Sequence, residues 1–586
     1  MWRKMIMIVT LIILLISVIA TAEVIDNRDN RQAYARSVSQ LGMSGDHTGS
    51  SDLRLRKSSS ASPTIVIFRI LEGIPDLGQY TPDTLIMGPH GCFTAAYSDE
   101  KTAQEAIEYL RTLPDILYAE LDGDVYASEE EPDPDDPEQT EPEEQYTFHS
   151  HGASEMGFGK AAPWCREAGA GSVTVAVIDS GVYPHPFLAS RLEQSGFDYV
   201  DGDEDATNDA YGHGTHVAGI VVDCTPELQV YIRPIRILDA TGRGSIANTT
   251  SAIFEAAEAG CDVINLSLIA KKHSDALEDA VKFALSCESS VVASAGNNGE
   301  PVDDYCPVHM DDAGLIVVGA CTGSLAAPVQ ASYSNYGSAV DLFAFGSSIQ
   351  SCSLTDGYTS KSGTSQAAPH ISALCAILRQ LFPSAGCQQT ESMVKALAIE
   401  GNIKIPNAAL LVPQTMGISG SNIYLPVGTR IRLLDNALPE TSFVEISWQC
   451  EDDAIATVDE SGFLTCMEEG TTVLFGDGSV NKSVSVNLHV IPDDSVFHVP
   501  SSVVSVEAEA FADTMANAAY LPINIQSLEW NAFDNSNIKT IFYGGDNMLF
   551  DGIQAMNTDI CIVTDKQKNL WSELEAAGFN YLLDCE

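Results

Sequence analysis

Basic residues are scarce in this chain of 586: 30 Lys and Arg stand against 81 Asp and Glu, a formal charge of −51. A polyanion of that size repels phosphate, so nucleic acid is excluded as a partner, while the charge keeps the surface solvated and self-repelling. Long apolar runs are equally scarce. The stretch 5–20 is almost wholly apolar, and its roughly 16 residues fall short of the about 20 that a membrane span needs. Arg3 and Lys4 precede it and Ala20-Thr21-Ala22 ends it, the layout of a cleavable export signal over 1–22. No Cys-x-x-Cys spacing occurs among the 14 cysteines, so no cysteine metal site is expected. Export permits disulfides. Nine cysteines fall in 148–413, an odd number, and most are expected to be small buried side chains. Cys450 with Cys466 and Cys561 with Cys585 are the candidate pairs.

What is present divides the chain into several units. Residues 23–61 are polar and rich in Ser, Asp and Arg, and are expected to be flexible. Residues 62–127 read as a small α+β unit: a strand over Thr64–Leu71, a helix with apolar Ala103, Ala106, Ile107 and Leu110, then a strand from Ile116 and a tail at Val125-Tyr126-Ala127. The linker 128–147 opens with an 18-residue run holding ten acids, four prolines and no base. Such a run cannot pack and is expected to be extended and exposed to cleavage.

From 148 to 413 short β-branched runs alternate with helical patterns: SVTVAVID, VYIRPIRIL, CDVINLSL, SVVASAG and GLIVVGA. Runs apolar on both faces suit a parallel sheet covered by helices, so the fold class expected here is a doubly wound α/β domain. Residues 418–491 alternate and carry turn signals at Ser461-Gly462 and Glu469-Gly470. Residues 495–586 hold an internal repeat: VPSSVVSVEAEAFADT from 499 returns as LPINIQSLEWNAFDNS from 521, an offset of 22. The tail with Trp571 is expected to cap it.

Three strings in the α/β region carry chemistry: Val177-Ile178-Asp179-Ser180-Gly181, Gly212-His213-Gly214-Thr215-His216, and Gly363-Thr364-Ser365-Gln366-Ala367-Ala368-Pro369. A serine hydroxyl becomes a nucleophile only when a histidine takes its proton and a carboxylate holds that histidine. The order Asp, His, Ser is one of the known solutions. Asp179 closes a buried strand, where ligands meet α/β sheets. Ser365 precedes a helical pattern whose first turn is expected to contain Pro369, so backbone N–H groups surround it.

These strings resemble the subtilisin-like serine proteases, the subtilases, over roughly 150–413. The resemblance implies an endopeptidase with Asp179, His213 and Ser365 as triad, His216 as a structural neighbour, and Asn297 in Ala295-Gly296-Asn297-Asn298-Gly299 as the oxyanion donor. It implies that Gly242, Gly244 and Ser267-Leu268-Ile269-Ala270 line the substrate cleft. The last segment usually ends in Gly-Gly, so Ile269 and Ala270 are expected to reshape the pocket for the residue before the cut. Relatives usually carry Met where Gln366 stands. No cofactor is expected to be required. Phe187 replaces the Asp of the family's high-affinity calcium site, and the acidic stretch 201–205 offers at most weak calcium binding. The 62–127 unit resembles the family's inhibitory propeptide, which packs on the enzyme and leaves its tail in the cleft. Residues 418–491, with Trp448, Ala456–Asp459 and Gly462, resemble bacterial group 2 immunoglobulin-like domains, an all-β sandwich. The repeat, with Ala-Phe at 510–511 and 532–533, resembles surface-protein leucine-rich repeats. The implied whole is a secreted zymogen acting on protein or peptide substrates, with its own propeptide as a partner and a cell-surface or glycan target for the C-terminal modules. The competing reading is a surface adhesin with a silent protease fold.

Overall fold

The computed structural model describes residues 64–71, 77–127, 150–169, 171–193, 196–399 and 401–413, and from 422 a series of segments ending at 584. The expected signal peptide, flexible segment and acidic linker lie outside the described residues, as does Cys585 of the expected Cys561–Cys585 pair. Among the described residues no helix is long and apolar enough to cross a membrane.

The first unit has four antiparallel strands, β1 (Thr64–Ile70), β2 (Thr84–Met87), β3 (Cys92–Tyr97) and β4 (Ile116–Leu121), in the order β2-β3-β1-β4. Helix α1 (Glu100–Leu110) covers one face with Ala103, Ala106, Ile107 and Leu110, the four residues whose spacing marked it in the sequence. Asp99 caps it, accepting from Thr102 N at 2.9 Å. A short strand, β5 (Asp124–Ala127), leaves this unit and joins another sheet.

The α/β region opens with α2 (His151–Glu155) and α3 (Phe158–Ala168). Its sheet contains β6 (Val173–Asp179), β7 (Val230–Arg236), β9 (Val263–Leu266), β11 (Ser290–Ser294), β12 (Leu315–Ser324), β13 (Ala327–Gln330) and β14 (Leu342–Phe345), while β8 (Arg243–Ser245) and β10 (Leu268–Ile269) stand apart from it. The order is β13-β12-β11-β9-β6-β7, with β14 also on β12; all pairs are parallel except β12 with β13.

Successive strand residues point to opposite faces, and here both faces are buried. Val175, Val177, Val292 and Val318 join a core with α3, α4 (His213–Cys224) and α7 (Thr364–Leu381). Ala176, Ile178, Val291 and Val317 join a second core with α5 (Ile246–Glu258) and α6 (Asp275–Ser286). This two-faced burial is why the strands read as unbroken apolar runs. A further helix, α8 (Cys387–Ala396), packs outside α7.

The first unit docks on the N-termini of α5 and α6, where helices leave N–H groups unsatisfied. Gly123 O accepts from Ile246 N at 2.8 Å and Asp122 Oδ1 from Ala247 N at 3.0 Å. The Glu120 carboxylate accepts from Ser274 Oγ at 2.6 Å and Asp275 N at 3.1 Å, placing negative charge at the positive end of α6. Arg69 pairs with Asp279 of the same helix. His90 lies against Phe283 with ring centroids 4.0 Å apart and tilted, and pairs with Glu258 at 2.8 Å.

Residues 422–491 form two facing sheets around Trp448, Ile423, Leu488, Ile431 and Leu464. One holds Asn422–Pro426, Ser483–Ile491, Gly470–Gly478 and Ile446–Cys450. The other holds Ala456–Val458, Phe463–Cys466 and Arg430–Arg432, and runs on into the C-terminal strands. Those strands carry the repeat further than the two copies legible in the sequence. Val496, Ala518 and Thr540 stand in register at steps of 22, and Cys561 follows Thr540 at a step of 21. A second parallel sheet repeats Ser505, Ser527 and Leu549 at the same step of 22. Equivalent rings stack along the axis: His498 on Tyr520 at 5.0 Å, Tyr520 on Phe542 at 4.2 Å, Phe511 on Phe533 at 4.6 Å.

The expected Cys450–Cys466 bridge is not formed; both carry free thiols, on strands of opposite sheets. The nine cysteines of the α/β region are also unbridged, and eight of them are buried. Burial pushes the thiols of Cys165, Cys261, Cys306, Cys321 and Cys375 up to about 12. They are small core side chains, kept from nucleophilic chemistry by desolvation.

Candidate active site

Asp179 ends β6 fully buried. His213 is the first residue of α4, after Gly212 with φ +86°. Its Nδ1–H donates to both Asp179 carboxylate oxygens, at 2.8 and 2.9 Å, and Ser180 N donates to Oδ1 at 2.7 Å. The carboxylate accepts only, so the proton of His213 is held on Nδ1 and Nε2 is left as the basic nitrogen. The glycine after His213 is a packing requirement. A Cβ at 214 would lie 2.1 Å from Gly181 O and 3.0 Å from Asp179 Cβ.

Behind this pair sits Asp209, a residue the sequence reading missed. Its carboxylate accepts from Ser180 Oγ at 2.9 Å, Gly212 N at 2.7 Å, Thr215 N at 3.0 Å and Thr215 Oγ1 at 2.5 Å. It thereby caps α4 and, through Ser180, ties the strand carrying Asp179 to the helix carrying His213. His216, on the same first turn, is buried with Nε2 at 3.1 Å from Thr359 O, and burial pushes its pKa down to about 3.

Ser365 is the second residue of α7 and fully buried. Its Oγ donates to Ser267 O at 3.0 Å. Pro369 was expected in the first turn but is the sixth residue of the helix. Lacking an N–H, it leaves the carbonyl four residues back, that of Ser365, without a helical donor. Ser267 Oγ supplies the substitute at 3.0 Å, and is itself held by Asn265, whose Oδ1 accepts from Ser372 Oγ. A cleft segment and the helix carrying Ser365 are thus locked together by reciprocal bonds.

Asn297 follows Gly296, which has φ +97° and whose added Cβ would meet Asn335 Nδ2 at 2.6 Å and Ile269 Cδ1 at 2.8 Å. Asn297 Oδ1 accepts from Thr364 N and Thr364 Oγ1, both at 2.9 Å. A backbone N–H can only donate, so this end of the amide is oxygen and the NH2 end is the remaining donor. Asn335 shapes the loop by accepting from Asn298 N and Glu300 N. Asn298 Oδ1 instead takes the Tyr305 hydroxyl, at 3.1 Å.

The segments expected to line the cleft are paired with a strand of the chain itself. Strand β5 runs antiparallel between β8 and β10. Tyr126 stands opposite Arg243 on one side and Ile269 on the other; Val125 faces Gly244, and Ala127 faces Leu268. Ala127 N donates to Gly242 O at 3.1 Å. Gly244 lets Val125 approach, since a Cβ there would lie 3.1 Å from Val125 Cγ2 and 2.5 Å from Ile237 O. Gly242 needs its φ of +72°. Ile269 and Ala270 are buried, and Ile269 lies against Gly296 beside Asn297. Of the six residues expected in the cleft, Gly242, Gly244, Leu268 and Ile269 adjoin β5, while Ser267 bonds Ser365 and Ala270 pairs with Cys306.

Of the two calcium positions weighed from the sequence, Phe187 packs on Tyr358 at 6.3 Å. In the acidic stretch 201–205, Asp201 pairs with the Arg236 guanidinium at 2.7 Å, which also takes the nearby Asp198 at 2.6 Å.

The sequence model of the Subtilase family matches residues 170–410. A thermophilic serine proteinase of Bacillus sp. (strain AK1) is 39% identical over 224 residues, 37% of this chain and 54% of that protein. Alkaline serine exoprotease A of Vibrio alginolyticus is 36% identical over 235 residues, 39% of this chain and 43% of that protein. Subtilisin BL of Lederbergia lenta is 36% identical over 235 residues, 83% of its own length. The chain spans about half the length of the first two relatives and most of the third. With Asp179, His213 and Ser365 standing within the matched region, the chain belongs to the subtilase family.

Proposed function

We propose that this protein is a serine endopeptidase, exported as a zymogen, in which Asp179, His213 and Ser365 form the catalytic triad. The observation that carries the reading is the bond from His213 Nδ1–H to a buried Asp179, on the strand end and helix start that flank the Ser365 helix. Ser365 Oγ attacks the scissile carbonyl and its proton passes to His213 Nε2; Asp179 keeps the tautomer and stabilises the imidazolium. The Asn297 NH2 and the Ser365 N–H hold the developing oxyanion. The acyl-enzyme then yields to water by the reverse proton route.

The 62–127 unit acts in this reading as an inhibitory propeptide. Its support is β5, which occupies the place of an extended substrate by strand addition to both cleft walls. The acidic linker supplies the exposed chain to be cut. The two-sheet segment 418–491 is read as an immunoglobulin-like module and 495–586 as a leucine-rich-repeat-type module, together tethering the enzyme at a cell surface or glycan. Calcium, if it binds, binds weakly at 201–205.

Replacing Ser365 by Ala tests the assignment. The variant precursor is expected to stay uncut after Ala127 and throughout the linker, and to leave unfolded protein substrates intact. Self-maturation of purified Ser365→Ala would falsify the triad and favour the silent adhesin.

A further inference from the structure

Strand β10 continues past the cleft into Ala270, which exchanges two backbone bonds with Cys306, at 3.1 and 3.0 Å. Three residues beyond each partner stands a histidine, His273 and His309, and between them is Glu278 on the first turn of α6. His309 Nδ1–H donates to Tyr305 O at 2.8 Å. A carbonyl only accepts, so Nδ1 carries a proton, and in the neutral ring the lone pair is on Nε2. That lone pair lies 3.1 Å from Glu278 Oε1, another acceptor.

His273 repeats the arrangement. Its Nε2 faces Asp275 Oδ1 at 3.0 Å and its Nδ1 lies 2.9 Å from the same Glu278 Oε1. Glu278 Oε2 is taken by Lys282 at 3.3 Å, which leaves Oε1 directed to the two rings. Three lone-pair atoms therefore converge, all within 4.8 Å of one another. Ligands of a tetrahedral zinc ion stand about 3.4 Å apart, given bonds of about 2.0–2.1 Å. The outer nitrogens have the partners that metal-bound imidazoles use, a carbonyl on one and a carboxylate on the other.

We propose that His273, Glu278 and His309 bind one transition-metal dication of the zinc class. Two imidazoles and one carboxylate select zinc or its neighbours over calcium, which takes oxygen. The fourth position is open, since His273 is 62% exposed. Binding ties the 270–278 segment to the 305–309 loop and so braces one wall of the cleft. The same segment receives the first unit, through Lys272 Nζ to Leu121 O at 3.2 Å and through the Glu120 contacts.

The test is equilibrium titration of the full-length Ser365→Ala chain with Zn2+ against a chromogenic chelator, and with Co2+ read by its visible absorption. One Zn2+ per chain is expected, with a tetrahedral Co2+ spectrum that excess Ca2+ leaves unchanged. His273→Ala and Glu278→Gln should each remove it, and Glu278→Gln, which keeps the side-chain shape, guards against misfolding. Asp275→Ala should weaken binding by about 10–100-fold through loss of the ring partner. No binding, binding undiminished in Glu278→Gln, or displacement by Ca2+ overturns the proposal and leaves a shared proton between the rings and Glu278.

Discussion

Gln366, beside Ser365, is fully buried, and neither end of its side-chain amide has a hydrogen-bond partner among the described residues. Leaving an amide buried and unpaired costs about 1–3 kcal/mol by mutational data. Methionine has a similar length and flexibility with no polar atoms, so Gln366→Met removes that cost with little change in side-chain entropy. Imperfect fit of a near-isosteric swap takes back less than about 1.5 kcal/mol, leaving a net gain of about 0.5–3 kcal/mol for an amide cost of about 2–3 kcal/mol. In a domain of this size each kcal/mol moves the midpoint by about 2–4 °C. Calorimetry of the full chain in a Ser365→Ala background, which prevents self-digestion, should show the midpoint rising by about 1–12 °C. An unchanged or lower midpoint refutes the reasoning and means that the amide is satisfied. A fall in kcat/KM of the active Gln366→Met enzyme would assign that satisfaction to substrate.

Asp179→Asn should lower kcat by about 10⁴-fold with the fold intact, because the amide stabilises the wrong His213 tautomer; steady-state kinetics with the melting curve checks both halves. Asn297→Ala should cost about 10²–10³ in kcat with KM nearly constant, as expected of a donor used chiefly in the transition state. Glu120→Ala strips the α6 N-terminus of its acceptor and should shorten the lag before activity appears in a time course of the purified precursor. Two fully buried histidines set an acid limit: burial pushes His216 down to about 3 and His370 to about 4. Both folded values lie below the unfolded value of about 6.5, so the unfolded chain binds more protons and stability is lost as pH falls from about 6.5 toward 4. Each histidine contributes a slope of about 1.4 kcal/mol per pH unit there, and His216→Gln should make the decline of the midpoint shallower by that share.

The parts of the fold legible in the sequence are those where burial leaves a periodic trace. Strands β6, β9, β11 and β12 read as apolar runs because both their faces are covered, and α1 read as a helix because its buried residues recur at helical spacing. The edge strand β2 went unread: TLIM exposes alternate residues and is short. Its neighbour β3 was missed although central, because CFTAAY is too brief and too rich in alanine to announce a strand. The repeat beyond Thr540 was hidden because its register persists in backbone pairing, and the step shortens to 21. At the site, the expectation for Asp179, His213 and Ser365 rested on short strings that include glycines, and Gly214 has a steric task in the fold. Asp209, Asn335 and the Ser267 side chain were not legible. An Asp or Asn serving several backbone donors in a turn has the same local sequence as any polar loop residue. The position of Pro369 was misjudged because α7 starts at Thr364, and the consequence, a carbonyl served by Ser267 from another segment, is a tertiary fact.

The central claim is that Ser365 is the activated hydroxyl and that β5 covers its cleft. A fluorophosphonate probe, followed by peptide mapping, tests both at once. The matured protein is expected to be labelled at Ser365, His213→Ala to be unlabelled, and the intact precursor to be labelled slowly until residues 64–127 are removed. Labelling at another residue, labelling undiminished in His213→Ala, or a precursor that reacts as fast as the matured protein would contradict the claim.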